Sequence, residues 1–270
     1  MTNSQIIGVL GAGQMGFGIA QVCAQSGYKV FLYDPLAAPL ERAQNKAAEL
    51  GLISIKTTSS LDDFKEVTLV IEAVPEIMSL KVDLFKALEN IVSTKTLMTS
   101  NTSSLSLTQL ASTISNPQRV IGIHFMNPVP KMELVEIIKA LQTSKETFEA
   151  TLEFVKSLGK TPAVCKDHPG FMVNRLLLPL INEAVFMLQE GLSSKEEIDL
   201  ALKLGANHPM GPLKLADLIG LDTCVHILKI LHQELGEDKY RPCPLLIKYV
   251  EAGWFGRKTN KGFYSYDKTK

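Results

Sequence analysis

Short apolar runs alternate with amphipathic stretches up to Cys165, and each run has the length of a buried strand. Strands that alternate with helices are typical of a mostly parallel sheet with helices on its faces, so we predict an α/β domain. The predicted strands are 6–10, 28–33, 67–74, 97–99, 119–125, 133–138 and 161–165. The predicted helices are 17–26, 37–50, 105–114 and 145–158, with one more that carries Lys81.

The pattern changes after a polar segment with proline and glycine at 166–170. Residues 171–189 are apolar on almost every helical face, and such a helix needs cover on several sides. Ser194 and Glu197 predict a capping box for a helix to Leu204, another helix begins near Pro212, and 222–235 is amphipathic. We predict a sheet domain, 1–167, and an all-α domain, 168–270, that completes its core across a homodimer interface.

Composition restricts the classes of partner. The 270 residues contain 28 basic and 28 acidic side chains, and a net charge of zero argues against nucleic acid. The apolar runs are too short to cross a membrane, and the start of the sequence does not resemble a signal peptide, so we expect a cytoplasmic protein. The widely separated cysteines, which indicate buried free thiols without a metal site, are Cys23, Cys165, Cys224 and Cys243.

A glycine-rich turn follows the first predicted strand and opens the first predicted helix. Its G-x-G-x-x-G form allows a tight turn, close approach of a pyrophosphate and close packing of the helix on the strand. Asp34 stands 18 positions after Gly16, where a carboxylate binds an adenosine ribose and repels a 2′-phosphate, which favours NAD over NADP. A turn used only for packing is the alternative. The predicted contacts of this Rossmann-type NAD site are Gly11, Gly13, Gln14, Met15, Gly16 and Asp34.

Polar side chains also follow the ends of two other predicted strands. Glu76 and Lys81 come after 67–74, and Ser103 lies in the run S-N-T-S-S at 100–104. The carboxyl ends of parallel strands line the ligand crevice of such a sheet. We therefore expect Glu76 and Lys81 to contact cofactor ribose or substrate, and a hydroxyl of the run to bind a substrate oxygen. The alternatives are a surface ion pair and an ordinary helix N-cap.

A histidine and two glutamates flank a turn that contains prolines. His124 ends one apolar run, and Glu133 and Glu136 lie in the next, so imidazole and carboxylate project from neighbouring strands. A histidine that donates to a buried carboxylate is held in one tautomer and suits proton removal from an alcohol near neutral pH. The segment thus predicts a general base with its orienting acid, without deciding between Glu133 and Glu136. A core histidine with no catalytic role is the alternative.

Together these motifs resemble the NAD-dependent L-3-hydroxyacyl-CoA dehydrogenase family, whose bacterial members include 3-hydroxybutyryl-CoA dehydrogenases. The resemblance covers nearly the whole chain and rests on 11–16 with Asp34, N-T-S-S at 101–104, H-F-M-N-P at 124–128 and Glu136. It implies hydride transfer between NAD and C3 of an (S)-3-hydroxyacyl-CoA. The active-site residues that it implies are Ser103, His124, Glu136 and Asn174. The cofactor contacts that it implies are Asp34, Glu76, Lys81, Ser103, Asn127 and Lys258.

In the implied mechanism His124 removes the hydroxyl proton and Glu136 orients the imidazole. Ser103 and Asn174 position the substrate oxygen, and the helical domains form a dimer. The alternative for Asn174, near the start of the long helix, is a buried amide that the backbone satisfies.

One segment departs from the family pattern. Family members commonly carry a long basic helical hairpin after the second strand, and it contacts coenzyme A. Here only 42 positions separate Asp34 from Glu76, so the hairpin is largely missing. Either Lys46, Lys56 or Lys81 holds coenzyme A differently, or the substrate is a hydroxy acid without coenzyme A. A non-catalytic NADH-binding relative is the third hypothesis.

Overall fold

The computed structural model describes residues 5–266. Residues 1–4, on which part of the signal-peptide expectation rests, and residues 267–270 lie outside the described chain. The chain divides into two compact units, unit 1 up to Phe171 and unit 2 from Met172 onward. Within the described residues, no helix combines the length and the apolar character that a membrane crossing requires.

Within the described residues, unit 1 contains one sheet of eight strands. They are β1 Ile6–Leu10, β2 Lys29–Tyr33, β3 Ile55–Thr58, β4 Leu69–Glu72, β5 Leu97–Ser100, β6 Val120–Phe125, β7 Leu134–Lys139 and β8 Thr161–Lys166. Their order is β3-β2-β1-β4-β5-β6-β7-β8, and neighbours are parallel except for the β6–β7 pair. The strand order reverses between β1 and β4, and α/β sheets bind ligands at such a point.

Helices cover both faces of this sheet. They are α1 Gln14–Gln25, α2 Ala37–Glu49, α3 Met78–Glu89, α4 Leu107–Ala111 and α5 Lys145–Ser157. Successive strand residues point to opposite faces. On β4, Leu69 and Ile71 therefore join the core with α1 and α5, whereas Val70 joins the core with α3 and α4. Each buried side chain of this size contributes about 1.5–3 kcal/mol of hydrophobic free energy.

The predicted fold class is confirmed: a mostly parallel sheet is followed by a helical unit. Strand β3 was not predicted, because three of its four residues are polar and it lies at the sheet edge. Helix α1 begins at Gln14 and not at Phe17, because Gly13 is its N-cap and Gly16 lies in its first turn. Helix α4 is shorter than predicted at both ends.

The described part of unit 2, up to Tyr266, has helices and no strands. Its helices are α6 Val173–Gln189, α7 Lys195–Leu200, α8 Pro212–Ile219, α9 Leu221–Leu235 and α10 Pro244–Glu251. The Ser194 hydroxyl accepts the backbone N–H of Glu197 at 3.2 Å, which confirms the serine half of the predicted capping box. The chain leaves α7 at Leu200 and continues as a π-helical turn, Ala201–Gly205. Helix α10, with 8 residues, was too short for its periodicity to be recognised.

Buried aspartates attach the C-terminal segment to the helices of unit 2. Asp217 accepts the backbone N–H groups of Phe263 and Tyr264, both at 2.9 Å. Asp199 accepts the backbone N–H of Leu213 at 2.7 Å and the Tyr264 hydroxyl at 2.8 Å. Because Phe263 also lies in the core, this segment is an integral part of unit 2.

Candidate active site

The glycine-rich turn joins β1 to α1. Gly11 has a φ of +95°, and a Cβ on it would lie 2.7 Å from the carbonyl oxygen of Ala73. A Cβ on Gly16 would lie 1.8 Å from the carbonyl oxygen of Gly11. Both positions therefore require glycine. A Cβ on Gly13 would meet nothing within 4 Å, so the space beside Gly13 is open.

That open space adjoins the N-terminus of α1. Gly13 is the N-cap of this helix and supplies no side-chain hydrogen bond to the first turn. Met15 packs partly buried against the core. Uncapped N–H groups and the helix dipole favour an anion at this end of a helix. The turn therefore fits the pyrophosphate of NAD: Gly11 and Gly16 permit its conformation, and Gly13 leaves room beside the backbone.

Asp34 connects the end of β2 to the glycine-rich turn. Its Oδ2 accepts the backbone N–H of Ala12 at 2.9 Å, and its Oδ1 accepts that of Leu36 at 3.0 Å. An ionised carboxylate has about four acceptor positions, so two remain for the hydroxyls of a ribose. Asp34 can therefore hold the turn and still bind the predicted ligand.

A buried charge cluster that the sequence did not predict lies at the end of β4. Glu72 is fully buried, and Lys81 of α3 is 1% exposed. Lys81 Nζ lies 2.7 Å from Glu72 Oε1 and 3.2 Å from Glu76 Oε2. Glu76 and Lys81 do form the ion pair that was considered, but its predicted surface location is wrong, because Lys81 is buried and shared with Glu72. An acidic residue at the end of a wholly apolar strand is the signal that could have identified Glu72.

Glu76 holds the serine loop, residues 101–105, which follows β5. Its Oε1 accepts the backbone N–H groups of Ser103 at 2.8 Å and Ser104 at 3.0 Å. The hydroxyls of Thr102, Ser103 and Ser104 lie 2.7, 3.2 and 3.0 Å from the same oxygen and compete for its acceptor positions, which cannot serve all five donors at once. Burial acts to raise the pKa of Glu76, but the charge of Lys81 and the donor from Thr102 outweigh it and lower the pKa. Glu76 is therefore an ionised acceptor for the loop.

His124 and Glu136 face each other across the antiparallel strand pair. They are direct partners in the β6–β7 register, and His124 Nδ1 lies 2.8 Å from Glu136 Oε2. Glu136 is fully buried, whereas the His124 side chain is 10% exposed. Since Nδ1 meets the carboxylate, Nε2 is the ring nitrogen left to exchange a proton with a ligand. The acid in contact with the imidazole is Glu136, not Glu133.

Two asparagines connect this strand pair to the other parts of the site. Gln14 Nε2 donates to Asn127 Oδ1 at 3.2 Å, so the glycine-rich turn and the segment after β6 are adjacent. Asn101 Oδ1 accepts the backbone N–H of Phe125 at 2.9 Å and ties the serine loop to β6. Asn101 was not predicted as a site residue, because its contact lies on a strand that is distant in the sequence.

Phe171 adds an aromatic contact to the histidine. Its ring packs edge-on against the imidazole of His124, with ring centroids 5.7 Å apart and an interplanar angle of 62°. Phe171 is buried and has a φ of 49°, a conformation that bulky residues rarely adopt. No local pattern of residues indicated this contact.

Two predicted site residues belong to unit 2. Asn174 lies in the first turn of α6. Lys258 Nζ lies 2.5 Å from Asp222 Oδ1, near the start of α9. The roles of these two residues toward substrate and cofactor stay predictions.

The cysteines are not candidate nucleophiles. All four are free, and burial raises the pKa of Cys23 and Cys224 to about 12. Burial, with the charges of Glu136 and Asp167, raises the pKa of Cys165 to about 11. Thiols with such pKa values are protonated at neutral pH. Between residues 5 and 266, no cluster of three or more histidine, cysteine or acidic side chains is arranged to hold a metal ion.

Two family models match the chain and together span nearly all of it. The model described as the NAD binding domain of 3-hydroxyacyl-CoA dehydrogenase matches residues 6–168. The model described as the C-terminal domain of 3-hydroxyacyl-CoA dehydrogenase matches residues 170–266. The first match confirms the prediction of NAD as the cofactor.

Similar proteins align along most of their own length. A 3-hydroxybutyryl-CoA dehydrogenase of Bradyrhizobium diazoefficiens is 50% identical over 277 residues, which cover 96% of this chain and 94% of the relative. The human mitochondrial hydroxyacyl-coenzyme A dehydrogenase is 42% identical over 283 residues, which cover 96% of this chain and 90% of the relative. The crystal structure of an (S)-3-hydroxybutyryl-CoA dehydrogenase from Ralstonia eutropha matches with a TM-score of 0.94 and 46% identity, covering 98% of this chain and 99% of that one.

Both sequence alignments are longer than the chain itself, which has 270 residues. Each relative therefore contains residues that this chain lacks. Between Asp34 and Glu76 the chain forms α2, β3, a 3-10 turn at Leu61–Phe64 and β4, with no helical hairpin in this fully described segment.

Proposed function

Because the chain belongs to the 3-hydroxyacyl-CoA dehydrogenase family, we propose that it interconverts an (S)-3-hydroxyacyl-CoA of the 3-hydroxybutyryl type and the 3-ketoacyl-CoA. NAD, when bound, supplies the hydride acceptor, and the protein supplies geometry and electrostatics. The observation that carries this proposal is the 2.8 Å contact between His124 Nδ1 and Glu136 Oε2 within the NAD-binding unit.

The proposed task of His124 is to move one proton. With Nδ1 turned to Glu136, Nε2 accepts the proton of the C3 hydroxyl during oxidation and returns it during reduction. The imidazolium that forms is stabilised by the buried carboxylate of Glu136, 2.8 Å away. Ser103 and Asn174 are proposed to hold the substrate oxygen. The hydrogen bond from the backbone N–H of Ser103 to Glu76 supports a fixed position for Ser103. Its hydroxyl, which donates to the same carboxylate here, would turn to the substrate oxygen.

The proposed NAD site extends from the glycine-rich turn to the serine loop. The turn receives the pyrophosphate, and Asp34 receives the adenosine ribose, as its remaining acceptor positions allow. Beyond these, the residues proposed to hold or border NAD are Gln14, Met15, Glu76, Ser103, Asn127 and Lys258. The hydrogen bond between Gln14 and Asn127 supports a continuous border between the turn and the end of β6.

The direct test is an NADH-oxidation assay. Acetoacetyl-CoA, longer 3-ketoacyl-CoA thioesters and the corresponding free keto acids are compared at equal concentration with purified protein. We expect turnover of the thioesters and the highest kcat/KM for a short acyl chain. NADH binding without turnover of any of these compounds would favour a non-catalytic NADH-binding protein.

A second candidate is an NAD-dependent dehydrogenase of a hydroxy acid without coenzyme A. The observation that favours it is the absence of a helical hairpin between Asp34 and Glu76. Of the lysines considered for coenzyme A, Lys81 is buried, whereas Lys46 and Lys56 lie on the surface against the rings of Phe17 and Phe31. In the assay, turnover of the free keto acids alone would establish this second candidate.

We also propose a homodimer in the cytoplasm. Exposed leucines on unit 2 support the dimer, because a second copy would remove them from water. They are Leu176, Leu192, Leu200, Leu204 and Leu218. The four free cysteines support a reducing compartment. Light scattering at micromolar concentration tests the dimer, and a monomer there would contradict it; cell fractionation tests the location.

A further inference from the structure

Glu72 and Lys81 form a buried ion pair that the proposed reaction does not use. Their side chains are 0% and 1% exposed, and the pair lies between β4 and α3. Burial raises the pKa of Glu72, while Lys81 and the donors from Ser100 and Val74 oppose that rise. Burying two charges costs more free energy than burying apolar side chains of the same volume. A role beyond general stability would explain why the pair is present.

Lys81 has no N–H group left for a ligand. Its Nζ lies 2.7 Å from Glu72 Oε1, 3.2 Å from Glu76 Oε2 and 3.4 Å from the carbonyl oxygen of Val74. An ammonium group has three N–H donors, and these three acceptors are all protein atoms. The direct cofactor contact that the family resemblance implies for Lys81 would require this cluster to open.

The two oxygens of Glu76 are divided between Lys81 and the serine loop. Oε2 faces Lys81, and Oε1 accepts from the loop. On the other side of Lys81, Glu72 Oε2 accepts the hydroxyl of Ser100 at 2.5 Å. The contacts therefore run from Ser100 at the end of β5, through Glu72, Lys81 and Glu76, and return to Ser103 just beyond the same strand.

We propose that Glu72 and Lys81 are positioning residues, which hold Glu76 in the orientation that fixes Ser103. The inference rests on the proposed function, because that function places Ser103 in the active site. The serine loop has no helix or strand of its own. Because the backbone N–H and the hydroxyl of Ser103 both meet this carboxylate, the position of Ser103 depends in part on Glu76, and the orientation of Glu76 depends on the cation beside it.

A double-mutant cycle of Lys81→Met and Glu76→Gln tests the proposal. It is measured as kcat with acetoacetyl-CoA and as the NADH dissociation constant from fluorescence titration. If Lys81 acts through Glu76, each single substitution lowers kcat about tenfold, and the double variant is no worse than the worse single variant. The dissociation constants follow the same non-additive pattern. The proposal is wrong if the effects of the two single substitutions multiply in the double variant, either in kcat or in the NADH dissociation constant. It is also wrong if Lys81→Met changes neither quantity.

Two control variants distinguish a specific loss of the position of Ser103 from a general loss of stability. Lys86→Met removes an exposed lysine from the same helix, and we expect unchanged kinetics. Glu89 is a matched carboxylate away from the site: its Oε1 accepts the backbone N–H of Ser115 at 2.7 Å and that of Asn116 at 3.4 Å. Glu89→Gln should lower the unfolding midpoint without changing kcat. A loss of kcat equal to that of Glu76→Gln would mean that loop loosening anywhere reduces activity, against the proposal.

A further variant covers a failure to fold. Lys81→Met leaves Glu72 buried without its cation, whereas Glu72→Gln with Lys81→Met removes both charges of the pair. If Lys81→Met alone does not fold, the double substitution Glu72→Gln with Lys81→Met takes its place in the cycle and is measured with and without Glu76→Gln. If the wild-type chain binds NADH without turning over acetoacetyl-CoA, the proposed function is wrong, but this result does not contradict the positioning role. The cycle in NADH dissociation constants would then still decide the positioning role.

Discussion

The two polar arrangements of the NAD-binding unit each depend on a carboxylate, but different backbone structure supports them. His124 and Glu136 are register partners in two paired strands, and the ladder itself brings their side chains to 2.8 Å. Ser103 lies on a loop, where the acceptor for its backbone N–H and its hydroxyl is the side chain of Glu76. The first arrangement is held by a strand ladder, and the second by hydrogen bonds of loop residues, most of them to one ionised side chain.

Because of this difference, we expect substitutions in the two arrangements to have different effects on turnover and stability. A strand residue is positioned by backbone hydrogen bonds that extend along the whole ladder, so substituting its side-chain partner changes chemistry more than fold. A loop residue held by one carboxylate loses its position and its hydrogen-bond acceptor together. We therefore expect substitutions at His124 and Glu136 to affect turnover alone, and substitutions at Glu76 to affect turnover and stability.

The largest expected effect belongs to His124→Gln. Loss of the general base should lower kcat by about 10²–10⁴-fold, while the NADH dissociation constant stays near the wild-type value. NADH oxidation with acetoacetyl-CoA gives kcat, and fluorescence titration gives the dissociation constant. Retained turnover would remove His124 from the role of base.

Glu136→Gln should have a smaller effect on the same reaction. The amide keeps the shape of the side chain but removes the charge that orients and stabilises the imidazole. We expect kcat to fall by about 10–100-fold, as for other groups that orient a functional histidine. The kcat/KM for acetoacetyl-CoA measures the loss, and far-UV circular dichroism checks the sheet. Wild-type kcat would show that the buried carboxylate is not needed.

Glu76→Ala should lower the free energy of unfolding, whereas the substitutions at His124 and Glu136 should not. The backbone N–H groups of Ser103 and Ser104 lose their acceptor, and an unsatisfied polar group costs about 1–3 kcal/mol in free energy of unfolding. Urea unfolding of the variant and the wild type measures the difference. An unchanged midpoint would mean that other contacts hold the loop.

The smallest expected effect is a pH dependence that comes from Glu76. Its pKa is lowered in the folded protein, so its stabilising contribution is present above the pKa of the unfolded chain and is lost as pH falls through the folded value. Glu76→Gln should therefore lose less stability on acidification than the wild type. Urea midpoints from neutral to acidic pH measure both slopes, and parallel slopes would contradict the assignment.

The sequence predicted the parts of the site that local patterns encode. Glycine spacing encodes the conformation of the turn after β1, and the apolar runs encode the strands that carry His124 and its partner. The choice between Glu133 and Glu136 was not available from the pattern, because register depends on where pairing begins after an irregular turn. The resemblance supplied Glu136, and the register places Glu136 opposite the histidine.

The charge cluster at β4 could not be predicted in the same way. Glu72 ends an apolar strand, and Lys81 lies on the following helix, with a hydrogen bond that joins residues nine positions apart. Nothing in their spacing distinguishes a buried pair from a surface pair. Only the packing of α3 on the sheet decides it, because that packing removes both side chains from water. The contact of Asn101 with Phe125, 24 positions away, depends on strand order for the same reason.

The antiparallel pairing of β6 and β7 has a consequence for variation in length. An added residue in the connection, between Phe125 and Leu134, leaves the partner of the imidazole unchanged. A one-residue slip within β7 turns every following side chain to the opposite face, and Val135 or Ile137 would then meet the imidazole with a hydrocarbon. A change of length in the connecting loop should therefore keep His124 opposite Glu136 but move Asn127, whereas a change of length within β7 should remove the pairing itself.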